Sequence, residues 1–598
     1  MPYENHKTLM AMIEAQAGNP DLAGRTLLVD GESRWSYREY RDHCVQMAGF
    51  LHRRARPVEH FTRGHVAVMM ENRKEYLALL GGCSYVGLTF FAINPLLRGD
   101  ALVQTLNKSR ATVLVIGEEF SEAVRAVLPQ LEHLDETGLF ILGDGPAIAP
   151  AQNLLTIAAA EPTKREQLNG IDVRPEDTLL VIYTSGTTGV PKGVLVSQSR
   201  LCRSATITGS AISLGKDDVS YLCMPMCHSN GLMGNFVPML SVGGRVAIRR
   251  RFSVSRFIDD ILEHGITYWT YVGEPIHYIL NHVETRFAGD EDRIRRELTD
   301  NPRNKLRFAL GNGASAVDQE RFIRWFGLEH MYEAYGQSEA VIMAFRLPDT
   351  PRGSVGEIND PNVRILAEDN SECPLAELDD QGNPLNYGEA MGQLCRIDTD
   401  GELFLGYFDN PEATARKCQG GIYYSGDLAH IAVVNGRRWL YFDGRTDDWI
   451  RKDGENFSAE PIGHVLSEHP DIQRAVVFGV PNVVASDLVM AVLAPREGKH
   501  FDPAAFFDWC RARQREGALE EKWLPDFVRV VPAFEHTASN KIQVHLLKRN
   551  HFDPAALSGS TTYWRTRGDQ TFRELTAGDY ALLRDLYAAQ ERLHLLDR

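Results

Sequence analysis

Eleven consecutive residues constrain this chain more than any other stretch: Tyr183-Thr184-Ser185-Gly186-Thr187-Thr188-Gly189-Val190-Pro191-Lys192-Gly193. They carry four serine or threonine hydroxyls, three glycines and a lysine, and a strand-like run TLLVI at 178–182 delivers them. Glycines let backbone N–H groups come close to a polyanion, hydroxyls donate hydrogen bonds, and lysine adds a compact positive charge. The stretch is not a Walker loop, which needs Gly-Lys-Ser/Thr; here Pro191 precedes Lys192 and Gly193 follows it. Such composition ordinarily means a solvated turn. The order and density of the groups favour a loop built to hold phosphates.

The rest of the chain has to present that loop. Short β-branched or aromatic runs, such as HVAVMM (65–70), RVAIR (245–249), ITYWTYV (266–272) and KLRFALG (305–311), alternate with longer helical patterns up to about residue 440. Apolar runs separated by helices are the signal of parallel sheets covered on both faces. A chain of 598 residues is too long for one core, because single cores stop growing near ~250–300 residues. The expected fold class is therefore α/β: a large multi-lobed N-terminal region of mostly parallel sheets covered by helices, plus a small mobile α+β C-terminal domain.

The texture changes at GRTDD (444–448), a charged, turn-prone connector. Beyond it come a helix from Ser458 to about Glu468, strands at 473–480 and 488–494, a helix from about Pro503 to Arg513 and a strand at 527–531. The last ~50 residues, a length within the ordinary range for an appended segment, read as a loop around YWRTRG and an amphipathic helix. The expected organisation is 1–443, a hinge at 444–447, 448–550, and an extension at 551–598.

A net charge of −16 argues against a general nucleic-acid binder. The first residues lack a secretory pattern, and no run approaches the ~18 apolar residues of a membrane span. Nine cysteines do not suggest a disulfide framework. Cys223, Cys227 and His228 have no second cluster at zinc-site spacing. The expected location is the reducing cytoplasm.

The eleven-residue loop resembles the signature of the superfamily of acyl-CoA synthetases, non-ribosomal adenylation domains and luciferases. There it folds over the β- and γ-phosphates of ATP, which the resemblance assigns here to Thr184, Ser185, Gly186, Thr187, Thr188, Gly189 and Lys192. Further segments follow in the family's order. Tyr335-Gly336-Gln337-Ser338-Glu339 resembles Y-G-x-T-E, in which the tyrosine stacks on adenine, the hydroxyl meets the α-phosphate and the glutamate holds Mg²⁺. A carboxylate beside a triphosphate makes sense through a hard cation with oxygen ligands. Tyr424-Ser425-Gly426-Asp427 resembles the segment whose aspartate binds the ribose diol, a task suited to an acceptor-only group. Gly444-Arg445-x-Asp447 matches the boundary motif, with Arg445 at the ribose and Asp447 as hinge.

The resemblance also places His228, in MPMCHSNG, at the gate between acyl and thiol pockets. Lys452, Gly454 and Glu455 fall in the loop that lies along pantetheine when coenzyme A is bound. Thr537-Ala538-Ser539-Asn540-Lys541-Ile542 resembles T-x-S-G-K-I, which makes Lys541 the adenylation lysine and leaves Lys548 as a register alternative. Asn540 replaces the family's glycine, and Asn is the commonest non-glycine residue at positive φ, so the turn can survive. Asn312 joins the ATP set; Trp269, Tyr271 and Gly311 fall near the acyl pocket. Tyr271-Val272-Gly273-Glu274, Asn304-Lys305-Leu306, Gly311-Asn312-Gly313, Gly454-Glu455-Asn456 and the tail after His551 are similar to the fatty-acid transport protein and very-long-chain acyl-CoA synthetase branch. Within it, MPMCHSN, YVGEP and DWIRKDGEN are similar to bacterial ligases for steroid side chains and similar polycyclic acids. Arg249–251 could meet the 3′-phosphate of the coenzyme but reads better as a solvated charge run.

The implied reaction is ATP-dependent activation of a bulky hydrophobic acid to an acyl-adenylate, then thioester formation with coenzyme A. Its cofactors would be ATP, Mg²⁺ and coenzyme A. Three alternatives stay open: delivery to a carrier protein, a luciferase-like oxidase, and a membrane-associated fatty-acid trapping or transport factor. Peripheral membrane contact and a homodimer also stay open.

Overall fold

The computed structural model describes residues 6–58, 63–135, 137–143, 151–184, 192–314, 316–339, 341–379, 382, 384–397, 404–445, 449–452, 455–483, 487–535, 542–548, 551–555, 559–566 and 568–596. Packing divides the chain into two compact units. One comprises Met1–Thr350, Val355–Glu357 and Asp398–Tyr423; the other comprises Pro351–Ser354, Ile358–Ile397 and Tyr424–Arg598.

The first unit is built on two large sheets. In the seven-stranded sheet the order is Gln152–Asn153, Leu139–Leu142, Val113–Gly117, His65–Met69, Thr89–Ala92, Thr178–Thr184 and Lys192–Ser197. All neighbours run parallel except the last two, which form an antiparallel pair. Its strands are buried on both faces: Val66 and Val68 enter one apolar cluster, Ala67 and Met69 another. That two-sided burial explains why these strands read as continuous apolar runs.

The eight-stranded sheet has the order Met343–Arg346, His330–Gly336, Phe308–Gly311, Tyr268–Thr270, Val219–Leu222, Arg245–Ile248, Thr26–Asp30 and Ser33–Ser36. Its centre is parallel and its two outer pairs are antiparallel. Period-two alternation sends Tyr268 into one core, and Trp269 with Tyr271 into the other.

The second unit contains strands Arg437–Arg445, Ile422–Val434, Gly392–Ile397 and Val363–Leu366 in one sheet. Residues 424–443, which sequence groups with the large region, pack in this unit. A five-stranded sheet follows in the order Ile472–Pro481, Asp487–Pro495, Phe527–Val530, Thr561–Trp564 and Arg573–Glu574. The helices Ala459–Ser467 and Pro503–Arg515 fall where the sequence places them.

One expectation is corrected. The YWRTRG segment is not all loop, because Thr561–Trp564 pairs antiparallel with Phe527–Val530, Trp564 opposite Phe527. Four β-branched or aromatic residues are too short a run to show a period, and the strand exists because a neighbouring edge accepts it. The helix that follows spans Ala577–Ala589 and is opened by a capping box between Thr576 and Asp579.

Candidate active site

The loop that dominates the sequence hangs from the antiparallel edge of the seven-stranded sheet. Thr184 and Lys192 are cross-strand partners, and the Thr184 hydroxyl donates to the Lys192 carbonyl at 3.3 Å. The closing turn, with Ser185, Gly186, Thr187, Thr188 and Gly189, lies outside the described residues. Lys192 is half-buried, and its ammonium stands 5.6 Å from the centre of the Tyr407 ring, within cation–π range.

Tyr407 connects this lysine to the expected metal ligand. Its hydroxyl donates to Glu339 Oε1 at 2.5 Å. Burial, reinforced by the Glu339 carboxylate, holds the Tyr407 phenol far above its ordinary pKa, so it stays a proton donor. Tyr407 is fixed in turn by a bridge to Val194 and by its own N–H donating to Thr414 Oγ1 at 2.9 Å.

Three consecutive residues of the loop after His330–Gly336 are each held from a different direction. Tyr423 donates its hydroxyl to Gln337 Oε1 at 3.0 Å. Arg200, in the first turn of helix Gln198–Ala211, donates to the Ser338 carbonyl at 2.8 Å and to the Leu195 carbonyl at 2.9 Å. Tyr407 holds Glu339. Burial pulls the Arg200 guanidinium down to about 10, opposed by Glu339, and it remains charged at neutral pH. Sequence reasoning missed Arg200, Tyr407 and Tyr423, since none belongs to the spacing that gives the nucleotide motifs away.

Glu339 is only 8% exposed. A carboxylate oxygen accepts more than one bond, so the bond from Tyr407 leaves capacity for a hard cation, and the residue fits Mg²⁺. Tyr335 and Gly336 end the strand His330–Gly336, paired with Ala344 and Met343. One strand over, Asn312 lies between Gly311, the last residue of Phe308–Gly311, and Gly313, whose φ of +79° suits glycine. Glu333, with its carboxyl pushed up by burial against the pull of Arg346, also takes a bond from the Gly313 N–H.

Tyr271 and Gly311 lie against each other, since a Cβ on Gly311 would meet the Tyr271 carbonyl oxygen at 2.3 Å. Asn230 donates to that same carbonyl at 3.2 Å. Asn230 opens a seven-residue π-helical stretch, Asn230–Phe236, just after His228; such turns are rare and concentrate at functional sites. The loop before His228 is pinned by Asn72, which donates to the Met224 carbonyl and accepts from the Met226 N–H. The structure thus brings the His228 loop, Tyr271 and Gly311 together. Trp269 is fully buried in the same cluster as Tyr271, 5.9 Å from its ring, 4.6 Å from the Phe257 ring and 5.7 Å from Phe322. Cys223 and Cys227 are buried, and burial pushes their thiols up to about 12.

Arg249 is ion-paired with buried Asp260 at 3.0 Å, and Arg251 pairs with Glu71.

In the second unit, Asp427 and Arg445 are direct partners across the antiparallel pair Ile422–Val434 and Arg437–Arg445. Asp427 is buried, and its N–H donates to Ser425 Oγ at 3.0 Å. Lys452 and Glu455 face each other across the short pair Trp449–Lys452 and Glu455–Ser458. The Lys452 ammonium is held by Asp526 at 2.6 Å, which leaves it less free for a ligand than its sequence position suggests. Asp447, Gly454 and Lys541 lie outside the described residues.

Comparison with known proteins follows the same outline. The model of the AMP-binding enzyme family matches residues 14–408, and that of the AMP-binding enzyme C-terminal domain matches residues 462–541. A steroid-22-oyl-CoA synthetase of Rhodococcus jostii is 33% identical over 537 residues, which is 89% of this chain and 90% of the relative. A medium/long-chain-fatty-acid–CoA ligase of Mycobacterium marinum is 30% identical over 512 residues, 86% of this chain and 90% of the relative. Among solved structures, an anthranilate CoA ligase in complex with anthranoyl-AMP superposes with a TM-score of 0.74 at 18% identity, covering 91% of this chain and 97% of that one. ATP-bound MatB of Rhodopseudomonas palustris gives 0.73 at 20%, covering 91% and 99%. These two likenesses establish the fold.

Proposed function

The chain belongs to the AMP-binding enzyme family, and from that premise we propose that it is an ATP-dependent acyl-CoA ligase for a bulky, largely apolar carboxylic acid. The observation that carries the reading is the linkage of Lys192, Tyr407 and Glu339 at the base of the phosphate loop. One aromatic side chain there holds the cation meant for phosphate beside the carboxylate meant for magnesium.

The reaction has two half-steps. A carboxylate oxygen of the acid attacks the α-phosphorus of ATP; that P–O bond forms as the bond to the β-phosphate oxygen breaks, and pyrophosphate leaves. The thiolate of coenzyme A then attacks the carbonyl carbon of the acyl-adenylate, and AMP departs with the electron pair of the C–O bond. The protein's task in the first step is to hold two anions together and offset developing charge. Lys192 and Lys541 supply positive charge, and Glu339 would hold Mg²⁺, which would offset the charge of the triphosphate. Tyr335 takes the adenine, Asn312 and Ser338 line the nucleotide site, and Asp427 with Arg445 takes the ribose. His228 closes the passage from acyl pocket to thiol, and exclusion of water there protects the reactive mixed anhydride. Asp447 is the pivot, and the loop of Lys452, Gly454 and Glu455 serves coenzyme A in the second step.

The size of the acid is inferred from the likeness to the steroid-22-oyl-CoA synthetase and from the apolar layer at Tyr271 and Gly311. Apolar walls reward hydrocarbon burial by about 25 cal/mol per Å². The test is pyrophosphate release and thioester yield with ATP, Mg²⁺ and coenzyme A over a panel of steroid side-chain, long-chain and acetate-sized acids. Turnover should favour the large acids by orders of magnitude. Equal turnover of acetate would overturn the substrate class. Adenylate that accumulates without thioester would move the acceptor from coenzyme A to a carrier protein.

A further inference from the structure

We propose that Tyr407 is a positioning residue for the metal-binding carboxylate of Glu339, an inference that rests on the reading of this site as the ATP site. Neither the nucleotide motifs nor the family match assigns a role to Tyr407. The match ends at residue 408, one residue past it.

A buried carboxylate on a loop has several rotamers, and a metal ligand is effective only when one of them is selected in advance. Arg200 already holds the loop backbone at the Ser338 carbonyl, and Tyr423 holds the neighbouring Gln337 side chain. The remaining freedom is the Glu339 side chain, and the Tyr407 hydroxyl removes it by donating to Oε1. The Tyr407 ring is itself held: its backbone bridges Val194 on the phosphate-loop strand, and Phe404 packs edge-on at 5.2 Å. The same ring faces Lys192. Carboxylate and ammonium are therefore placed by one rigid body, and Tyr407 reaches the chemistry only through them.

The measurement is Mn²⁺ affinity of the complex with α,β-methylene-ATP, which cannot be cleaved at the α-phosphorus, read by electron paramagnetic resonance. Tyr407→Phe keeps the ring that Lys192 and Phe404 contact and removes only the donor. A hydrogen bond to a charged group is worth enough for about a tenfold weakening of Mn²⁺. AMP affinity without metal should be unchanged. Tyr407→Phe is then combined with Glu339→Gln. If Tyr407 acts through the carboxylate, its effect on Mn²⁺ vanishes in the Glu339→Gln background. An Mn²⁺ affinity equal to the parent's in Tyr407→Phe overturns the proposal, and so does an effect of equal size in both backgrounds. Failure of the parent protein to bind Mn²⁺ with the analogue overturns instead the reading of the ATP site.

Discussion

Arg200 and Ser338 are 138 positions apart in sequence, yet the guanidinium of one donates to the carbonyl of the other at 2.8 Å. The same guanidinium holds Leu195, on the strand that leaves the phosphate loop. Two segments proposed to bind the nucleotide, on different sheets, are thereby joined through one side chain. Arg200→Ala withdraws a charged donor from both carbonyls, and the expected result is about a tenfold rise in KM for ATP with a lower melting temperature. Arg200→Lys should recover part of the stability and little of the KM, because a point charge does not reproduce the planar fork. An unchanged KM in Arg200→Ala would separate this clamp from nucleotide binding.

Glu339→Gln keeps the shape of the proposed metal ligand and removes its charge. Adenylate formation should then require at least about tenfold more magnesium, since hard cations prefer charged oxygen donors. Titrating pyrophosphate release against Mg²⁺ checks this, and an unaltered requirement would take Glu339 out of the ATP site.

The two half-reactions should separate at Lys541. Lys541→Ala is expected to abolish acyl-adenylate formation while sparing thioester formation from supplied acyl-adenylate, if the C-terminal region pivots about Asp447 between the two steps. Asp447→Pro should spare adenylation and block transfer, because proline fixes φ near −65° where a hinge must change it. Pyrophosphate exchange and thioester yield from synthetic adenylate read both variants. Equal loss of both half-reactions in a folded Lys541→Ala would contradict the alternation, and loss of neither would pass the role to Lys548.

Stability should fall in mild acid through His65. His65 is 1% exposed, and Nδ1 lies 2.8 Å from the Ser109 carbonyl oxygen, which only accepts, so Nδ1 carries a proton. Burial lowers its pKa to about 4. The unfolded chain, with a histidine pKa near ~6.5, takes up a proton between those values while the folded chain does not. Stability from this group is therefore complete above pH ~6.5 and is lost as pH falls toward 4, by ~3 kcal/mol at full extent. Urea unfolding at pH 7 and pH 4.5 measures it, and His65→Asn should show a smaller loss than the parent. An equal loss in both would assign the acid sensitivity elsewhere.

The parts of this molecule legible in sequence are those where chemistry is written along the chain. The phosphate loop, the Tyr335–Glu339 motif and the Asp427–Arg445 spacing have their proposed roles in consecutive or near residues, and the last pair sits directly opposite across two strands. Two-sided burial made the parallel strands legible as apolar runs. What stayed hidden depends on contacts between distant segments. Nothing in GYFDNPEAT announces that Tyr407 reaches Glu339, and nothing in SQSRL marks Arg200 as a clamp. The strand Thr561–Trp564 was hidden for the same reason, since its partner Phe527–Val530 lies more than thirty residues upstream. Trp269 and Tyr271, both expected near the acyl pocket from the segment Ile266–Val272, are fully buried in one cluster, their rings 5.9 Å apart, with Trp269 also against Phe257 and Phe322, contacts that the sequence does not announce.

The central claim is that the acid's own oxygen attacks the α-phosphorus of ATP. It is tested most directly by following the carboxylate oxygens of an ¹⁸O-labelled steroid side-chain or long-chain acid through one turnover with ATP and coenzyme A. Attack at the α-phosphorus predicts one labelled oxygen in the phosphate of AMP, and none in pyrophosphate. Label in inorganic phosphate with release of ADP, or AMP that carries no label, would contradict it.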